Sequence, residues 1–125
     1  MRLLLDTHAL VWWLADDRRL SRTAAAVLDS PENDLFLSAV SGYEIVYKQR
    51  SGRLPDAPED LARRLQRASI TVLPLSLDHA LAAAALPGPH RDPWDRIMMA
   101  QAMAERLTVV TVDPRFAEYG VPVLW

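Results

Sequence analysis

The chain has no cysteine among its 125 residues. That absence excludes a disulfide framework and a thiolate zinc site, and it fits a reducing compartment. No apolar run approaches the ~20 residues needed to cross a bilayer. The stretch Met1-Arg2-Leu3-Leu4-Leu5 begins as a targeting segment does, but Asp6 interrupts it and no small-residue cleavage pattern follows. It reads instead as a buried strand, which leads us to expect a cytoplasmic protein with no membrane association. A strong charge of one sign is missing too. The net charge of −2 leaves no global positive field to attract nucleic acid. Lysine is nearly absent: Lys48 is the only one, so the basic charge is almost all arginine. Arginine's planar fork suits phosphate and carboxylate contacts, although arginine-favouring codons in a GC-rich genome give the same bias.

What is present is an ordinary globular composition, 50% apolar and 24% charged. The length suits one domain over 1–125 that buries roughly 65–70% of its unfolded surface. Residues 2–6 read as a strand and His8 to Ala15 as a largely apolar helix. Ser21 is placed to cap a helix running to about Asp29. Leu35 to Ser38 reads as a second strand. Ser41, with Glu44 three residues on, suggests a capping box for a helix to about Gln49. A proline-bearing loop precedes a helix near 59–68, and Ile70 to Leu73 forms a third strand. Asp78 is expected to cap an alanine-rich helix that ends at Leu86. Pro93 to Arg106 is a helix, Thr108 to Val112 a fourth strand and Val121 to Leu124 a short fifth one. Strands alternating with helices predict a mostly parallel sheet flanked by helices. Trp12 and Trp13 read as core or interface. Tyr43 and Tyr47, four apart on one helix, could line a groove, with a core position as the default.

Four acids stand at strand ends and helix starts, where open α/β sheets place their ligand sites. Asp6 ends the first strand and Asp113 follows the fourth, while Glu44 and Asp95 open helices. Singly, three of them have structural explanations. Glu44 and Asp95 can serve in helix capping, Asp95 behind the cap Asp92 with Pro93 in the first turn, and Asp113 before Pro114 can form a turn. Asp6 directly after three leucines is harder to explain, because an unpaired buried charge is costly. Jointly, four converging carboxylates repel one another unless a hard cation such as Mg²⁺ or Mn²⁺ lies between them. That chemistry points to metal-assisted cleavage of a phosphodiester. Thr7, Ser38 and Thr111 offer hydroxyls that could orient carboxylates or water, and Asp92 is a further candidate beside Asp95. His8, Arg91 and Arg96 are candidates for substrate contact. The three histidines do not have metal-triad spacing.

These segments together resemble the PIN-domain proteins, in particular the VapC-type toxins of bacterial toxin–antitoxin pairs. The resemblance rests on Leu3-Leu4-Leu5-Asp6-Thr7-His8, Ser38-Ala39-Val40-Ser41 leading to Glu44-Ile45, His90-Arg91-Asp92-Pro93-Trp94-Asp95-Arg96 and Thr111-Val112-Asp113. It extends to the closing Gly120-Val121-Pro122-Val123-Leu124-Trp125. Arg96 to Ala102 follow Asp95 as in the family. The motifs are short, and their order and spacing carry the specificity. The resemblance implies an α/β/α sandwich around a five-stranded sheet, a Mg²⁺- or Mn²⁺-dependent endoribonuclease, and Asp6, Glu44, Asp95 and Asp113 as its metal-binding and catalytic acids. It also implies structured RNA such as tRNA as substrate, a small antitoxin that covers the site, and a homodimer. Other readings stay open at this point. One is a catalytically silent PIN scaffold. Another is a receiver-like phosphoacceptor, which wants a lysine after a late strand. The last is a dehalogenase-type phosphatase, which wants an aspartate where His8 stands.

Overall fold

The computed structural model describes all 125 residues. Five strands form one sheet, β1 (Arg2–Leu5), β2 (Asp34–Ser38), β3 (Ile70–Leu73), β4 (Thr108–Val110) and β5 (Val123–Leu124). Seven helices connect them: α1 (Thr7–Leu14), α2 (Arg22–Asp29), α3 (Ala39–Arg50), α4 (Leu61–Arg67), α5 (Leu77–Ala85), α6 (Pro93–Glu105) and α7 (Arg115–Glu118). All strand pairs are parallel, in the order β3-β2-β1-β4-β5. The chain winds outward from β1 through β2 to β3, then returns to the other side of β1 for β4 and β5. Strand order therefore reverses between β1 and β4, and a crevice opens beyond their carboxyl ends.

Burial on both faces explains why β1 is a continuous leucine run. Leu3 and Leu5 join Leu35, Leu37, Ile70 and Val110 against α1, α2, α3 and α4 through Leu10, Leu28, Ile45 and Leu65. Leu4 points the opposite way and packs with Val109 against Met98, Met99 and Ala102 of α6 and Phe116 of α7. Two cores on opposite faces of one sheet make the α/β/α sandwich. No helix is long and apolar enough to cross a membrane.

Helix starts follow side-chain oxygens that accept the first free backbone N–H groups. Ser21 accepts from Ala24 as the spacing predicts. Two expected caps are displaced. α3 begins at Ala39 behind Ser38, whose hydroxyl accepts the Val40 N–H, so Ser41 is an interior residue whose hydroxyl faces the Met98 sulfur. α5 is capped by Ser76 and not by Asp78, with the His79 ring closing a reciprocal box onto the Ser76 N–H. His79 substitutes there for the Glu or Gln that the pattern requires. β4 and β5 are shorter than expected, because Thr111 to Asp113 turn away from the sheet, although the Thr111 N–H still reaches the Leu124 carbonyl.

Met99 is fully buried between α6 and the sheet. Met99→Ala should therefore lower stability by about 2–5 kcal/mol, read as a shift in the urea midpoint. A loss under about 1 kcal/mol would show that the smaller core is loosely packed.

Candidate active site

Asp6 and Thr111 stand side by side because β1 and β4 are in register. Leu5 pairs with Val110, and the Asp6 N–H donates to the Val110 carbonyl at 3.1 Å. The Asp6 carbonyl accepts from Leu10 to start α1, while its carboxylate makes no cap bond to that helix. The carboxylate instead accepts from the Thr111 hydroxyl at 2.7 Å. The same hydroxyl accepts the Asp113 N–H at 3.0 Å. One buried threonine thus links the acid after β1 to the acid after β4.

The helices bring the other two. With its cap at Ser38, α3 places Glu44 in its second turn, which excludes the capping-box explanation for that residue. Glu44 Oε1 accepts from the Thr7 hydroxyl and Oε2 from Lys48 Nζ, both at 2.6 Å. Asp95 is the third residue of α6, behind the cap Asp92 and Pro93. Its Oδ2 lies 2.8 Å from His90 Nε2 and 3.9 Å from Arg115 Nη2. Arg115 in turn grips Asp113 through Nε and Nη2, the latter at 2.7 Å.

All four carboxylates line one cavity of about 350 Å³, together with Thr7, His8, Trp12, Lys48, Asp92 and Arg115. Their proton affinities diverge. Burial raises Asp6 above the ordinary carboxylate value, against the Thr111 bond and the nearby His8 ring and backbone, which lower it, and Glu44 adds the smallest contribution, a repulsion. The group keeps a window to the cavity, but protein encloses most of its carboxylate. Burial also raises Asp95, and Asp92 and Asp6 repel its charge, against the His90 bond. The Arg115 fork holds Asp113 below its usual range. A larger hollow of about 480 Å³ beside α1 and α2 contains Asp16, Asp17 and Asp29, but Asp17 is neutralised by Arg19 and Asp29 is engaged by the Trp13 indole.

The donors are oxygens throughout, the set that Mg²⁺ and Mn²⁺ take. As they stand, no three of them close on a common point. Glu44 is held by Lys48, Asp95 by His90 and Asp113 by Arg115. Asp6 alone has no ion pair. A buried anion repelled by its neighbours and lacking a counter-charge fits a site for a hard cation.

Several expected site residues lie elsewhere. The Ser38 hydroxyl caps α3 and does not orient a carboxylate. Arg96 is not free for phosphate, since its guanidinium donates to the carbonyls of Ala83, Leu86 and His90 and ties the loop before α6 to α5. Arg91 is exposed beside Pro93 and α5, away from the acids. Asp92 lines the cavity, but one of its oxygens caps α6 by accepting from Trp94 and Asp95. His8 is exposed on the rim, tilted against Trp12. Tyr43 and Tyr47 are exposed and not core. Sequence reasoning also missed three residues. Lys48 carried a readable signal, four residues after Glu44 on a helix. Arg115 carried a weaker one, two residues after an aspartate. His90 carried none, because the loop that Tyr119 and Arg96 hold decides where its ring points.

An open parallel sheet with acids gathered at its switch point defines an α/β protein whose polar site lies where such sheets bind their ligands. The chain belongs to the PIN-domain family, whose model matches residues 3–122. It is 30% identical over 121 residues to ribonuclease VapC22 of Mycobacterium tuberculosis, covering 95% of this chain and 92% of that protein. Among solved structures, VapBC2 from Rickettsia felis bound to a fragment of its promoter DNA superposes with a TM-score of 0.75 at 18% identity, over 99% of this chain and 98% of that one. VapC20 of M. tuberculosis, a sarcin–ricin loop cleaving toxin, superposes at 0.68 with 17% identity over 95% of each chain. These two likenesses concern the fold.

Two expectations follow from the electrostatics. In EDTA at neutral pH, Asp6→Asn should melt higher than the wild type, because the amide keeps the Thr111 bond and removes the repelled charge. The sign follows from the raised carboxyl of the folded state: ionisation costs stability above that value, and the cost vanishes as pH falls toward 3.8, where the unfolded group is also protonated. The variant's advantage should shrink in step, and a lower melting temperature at pH 7 would contradict the account. Thr111→Val should weaken divalent-metal affinity by about 10–100-fold, read by calorimetry, and unchanged affinity would remove Thr111 from the site.

Proposed function

We propose that this chain is a metal-dependent endoribonuclease and the toxin of a toxin–antitoxin pair. The observation that carries this reading is the convergence of Asp6, Glu44, Asp95 and Asp113 on one cavity at the switch point of a PIN-family sheet. The near full-length similarity to a ribonuclease supports RNA as the substrate, the sarcin–ricin loop cleaving toxin shares the fold, and structured RNA such as tRNA is the family reading. The VapBC assembly supports a small antitoxin partner, and the family reading adds a homodimer.

Asp6, Glu44, Asp95 and Asp113 would hold Mg²⁺ or Mn²⁺. When bound, the ion polarises a phosphate oxygen and makes water a stronger nucleophile at neutral pH. The rest of the work belongs to the side chains. Thr7 and Thr111 fix the rotamers of Glu44 and Asp6 through their hydroxyls. His90 holds Asp95, and its ring, hydrogen-bonded to the carboxylate, can take up or return a proton there. Lys48 and Arg115 put two cations on the cavity wall, where they can neutralise charge growing on the phosphate. Water oxygen attacks phosphorus, the bond to the 3′ oxygen breaks, and that oxygen takes the proton. The products are a 3′-hydroxyl and a 5′-phosphate.

The experiment is digestion of total bacterial RNA by the purified protein with Mg²⁺, Mn²⁺ or EDTA. Discrete, metal-dependent fragments bearing those ends are expected, with Asp6→Asn and Asp95→Asn each slower by on the order of 100-fold or more. Cyclic phosphate ends produced equally well in EDTA would overturn the mechanism. Metal binding without cleavage would leave a binding scaffold in place of an enzyme.

A further inference from the structure

The loop between α5 and α6 carries His90 against Asp95, and both sides of the His90 backbone are fixed. Its N–H donates to the Tyr119 hydroxyl at 3.1 Å, and its carbonyl accepts from Arg96 Nη1 at 2.9 Å. The side chain, only 9% exposed, lies between two groups of the cavity wall. Nε2 is 2.8 Å from Asp95 Oδ2, and Nδ1 is 3.4 Å from Arg115 Nη1. An ionised carboxylate only accepts and a guanidinium only donates. The two partners together therefore select the neutral tautomer with its proton on Nε2. Asp95 meets both His90 and Arg115 through Oδ2, which leaves Oδ1 for an ion.

The Tyr119 hydroxyl sits in a fitted seat. Gly88 has a φ of +95°, and a Cβ there would lie 2.6 Å from that hydroxyl oxygen. Any side chain is excluded where Tyr119 meets the loop, apart from the left-handed backbone that already favours glycine. The Tyr119 ring follows α7 and packs at the margin of the smaller core. That packing needs the ring and not the hydroxyl, which takes up the His90 N–H. Phenylalanine would fill the same volume. Tyr119 and Gly88 line a separate hollow outside the acidic cavity, so neither touches substrate or ion. We propose that Tyr119 is a positioning residue of the metal site. Its hydroxyl, seated over Gly88, sets His90, and His90 sets Asp95. The inference rests on reading the four acids as a metal site and adds a distant determinant of its affinity.

Calorimetric titration of the full-length protein with Mn²⁺ tests it, beside thermal melting in EDTA. Tyr119→Phe should weaken Mn²⁺ binding by about tenfold, the lower end of the range for a residue that orients a metal ligand. His90→Ala should weaken it at least as much. Adding Tyr119→Phe to His90→Ala should remove no further affinity, because the hydroxyl acts through that ring. The melting temperature should respond differently. Tyr119→Phe deprives the same backbone N–H of its acceptor with or without the ring, so its effect on melting should be equal on both backgrounds. Gly88→Ala should reproduce the loss of Mn²⁺ affinity by lifting the hydroxyl from its seat. Unchanged affinity in Tyr119→Phe would overturn the proposal, as would a tenfold loss that persists on the His90→Ala background. If Asp95→Asn weakens Mn²⁺ binding and Tyr119→Phe does not, the metal site stands and Tyr119 has no part in it. A wild type that binds no Mn²⁺ would sink both.

Discussion

The carboxylate of Asp6 is the constraint around which this molecule is organised. It follows three fully buried leucines, so the strand that drives the hydrophobic effect for both cores ends in a charge. Water is largely excluded there, the neighbouring acids repel it, and no cation of the chain pairs with it. A position of that kind lowers stability unless something outside the chain compensates. The sheet accepts this cost at the one place where strand order reverses and a crevice is left open.

The remaining three acids are handled differently. Lys48 and Arg115 each lie within 3 Å of a carboxylate, so Glu44 and Asp113 carry their own counter-charges, while Asp95 is hydrogen-bonded by His90 at 2.8 Å. The wall of the cavity keeps a net negative charge, with Asp6 buried and free of any ion pair and Asp92 bonded only to backbone N–H groups. A cation entering at Asp6 must compete with those internal partners for its other ligands, and Lys48 or Arg115, if displaced, is left facing the cavity with positive charge. For a polyanionic substrate that exchange is favourable, because the same side chains that screen the empty acids can meet phosphate. Arg115 is the best placed for this, since it is half-exposed and touches Asp113, Asp95 and His90 together.

Much of this could be read from the chain. Leu3-Leu4-Leu5-Asp6 announces both a doubly buried strand and an anomalous charge, and the alternation of strands with helices predicts the parallel sheet. The four acids were legible because each stands where a strand ends or a helix begins. What escaped was set by tertiary context. Ser38 and Ser41 are equally good caps by composition, and only the register of β2 against β1 and β3 decides that the helix starts after the first. His79 completes a capping box that the pattern reserves for Glu or Gln. Arg96 looks like a phosphate ligand in one dimension, and becomes a loop staple once α5 folds beside α6 and aims its last carbonyls at it. The exposure of Tyr43 and Tyr47 depends on Glu44 being turned inward.

The account's central claim is that the four carboxylates hold one divalent-metal site anchored on Asp6. Anomalous diffraction from crystals soaked in Mn²⁺ tests it most directly. The account predicts a strong peak in the cavity at about 2.1 Å from an Asp6 carboxylate oxygen, with at least one of Glu44, Asp95 and Asp113 turned from its basic partner toward the ion. A cavity without anomalous density, with the pairs to Lys48, His90 and Arg115 intact, would contradict it.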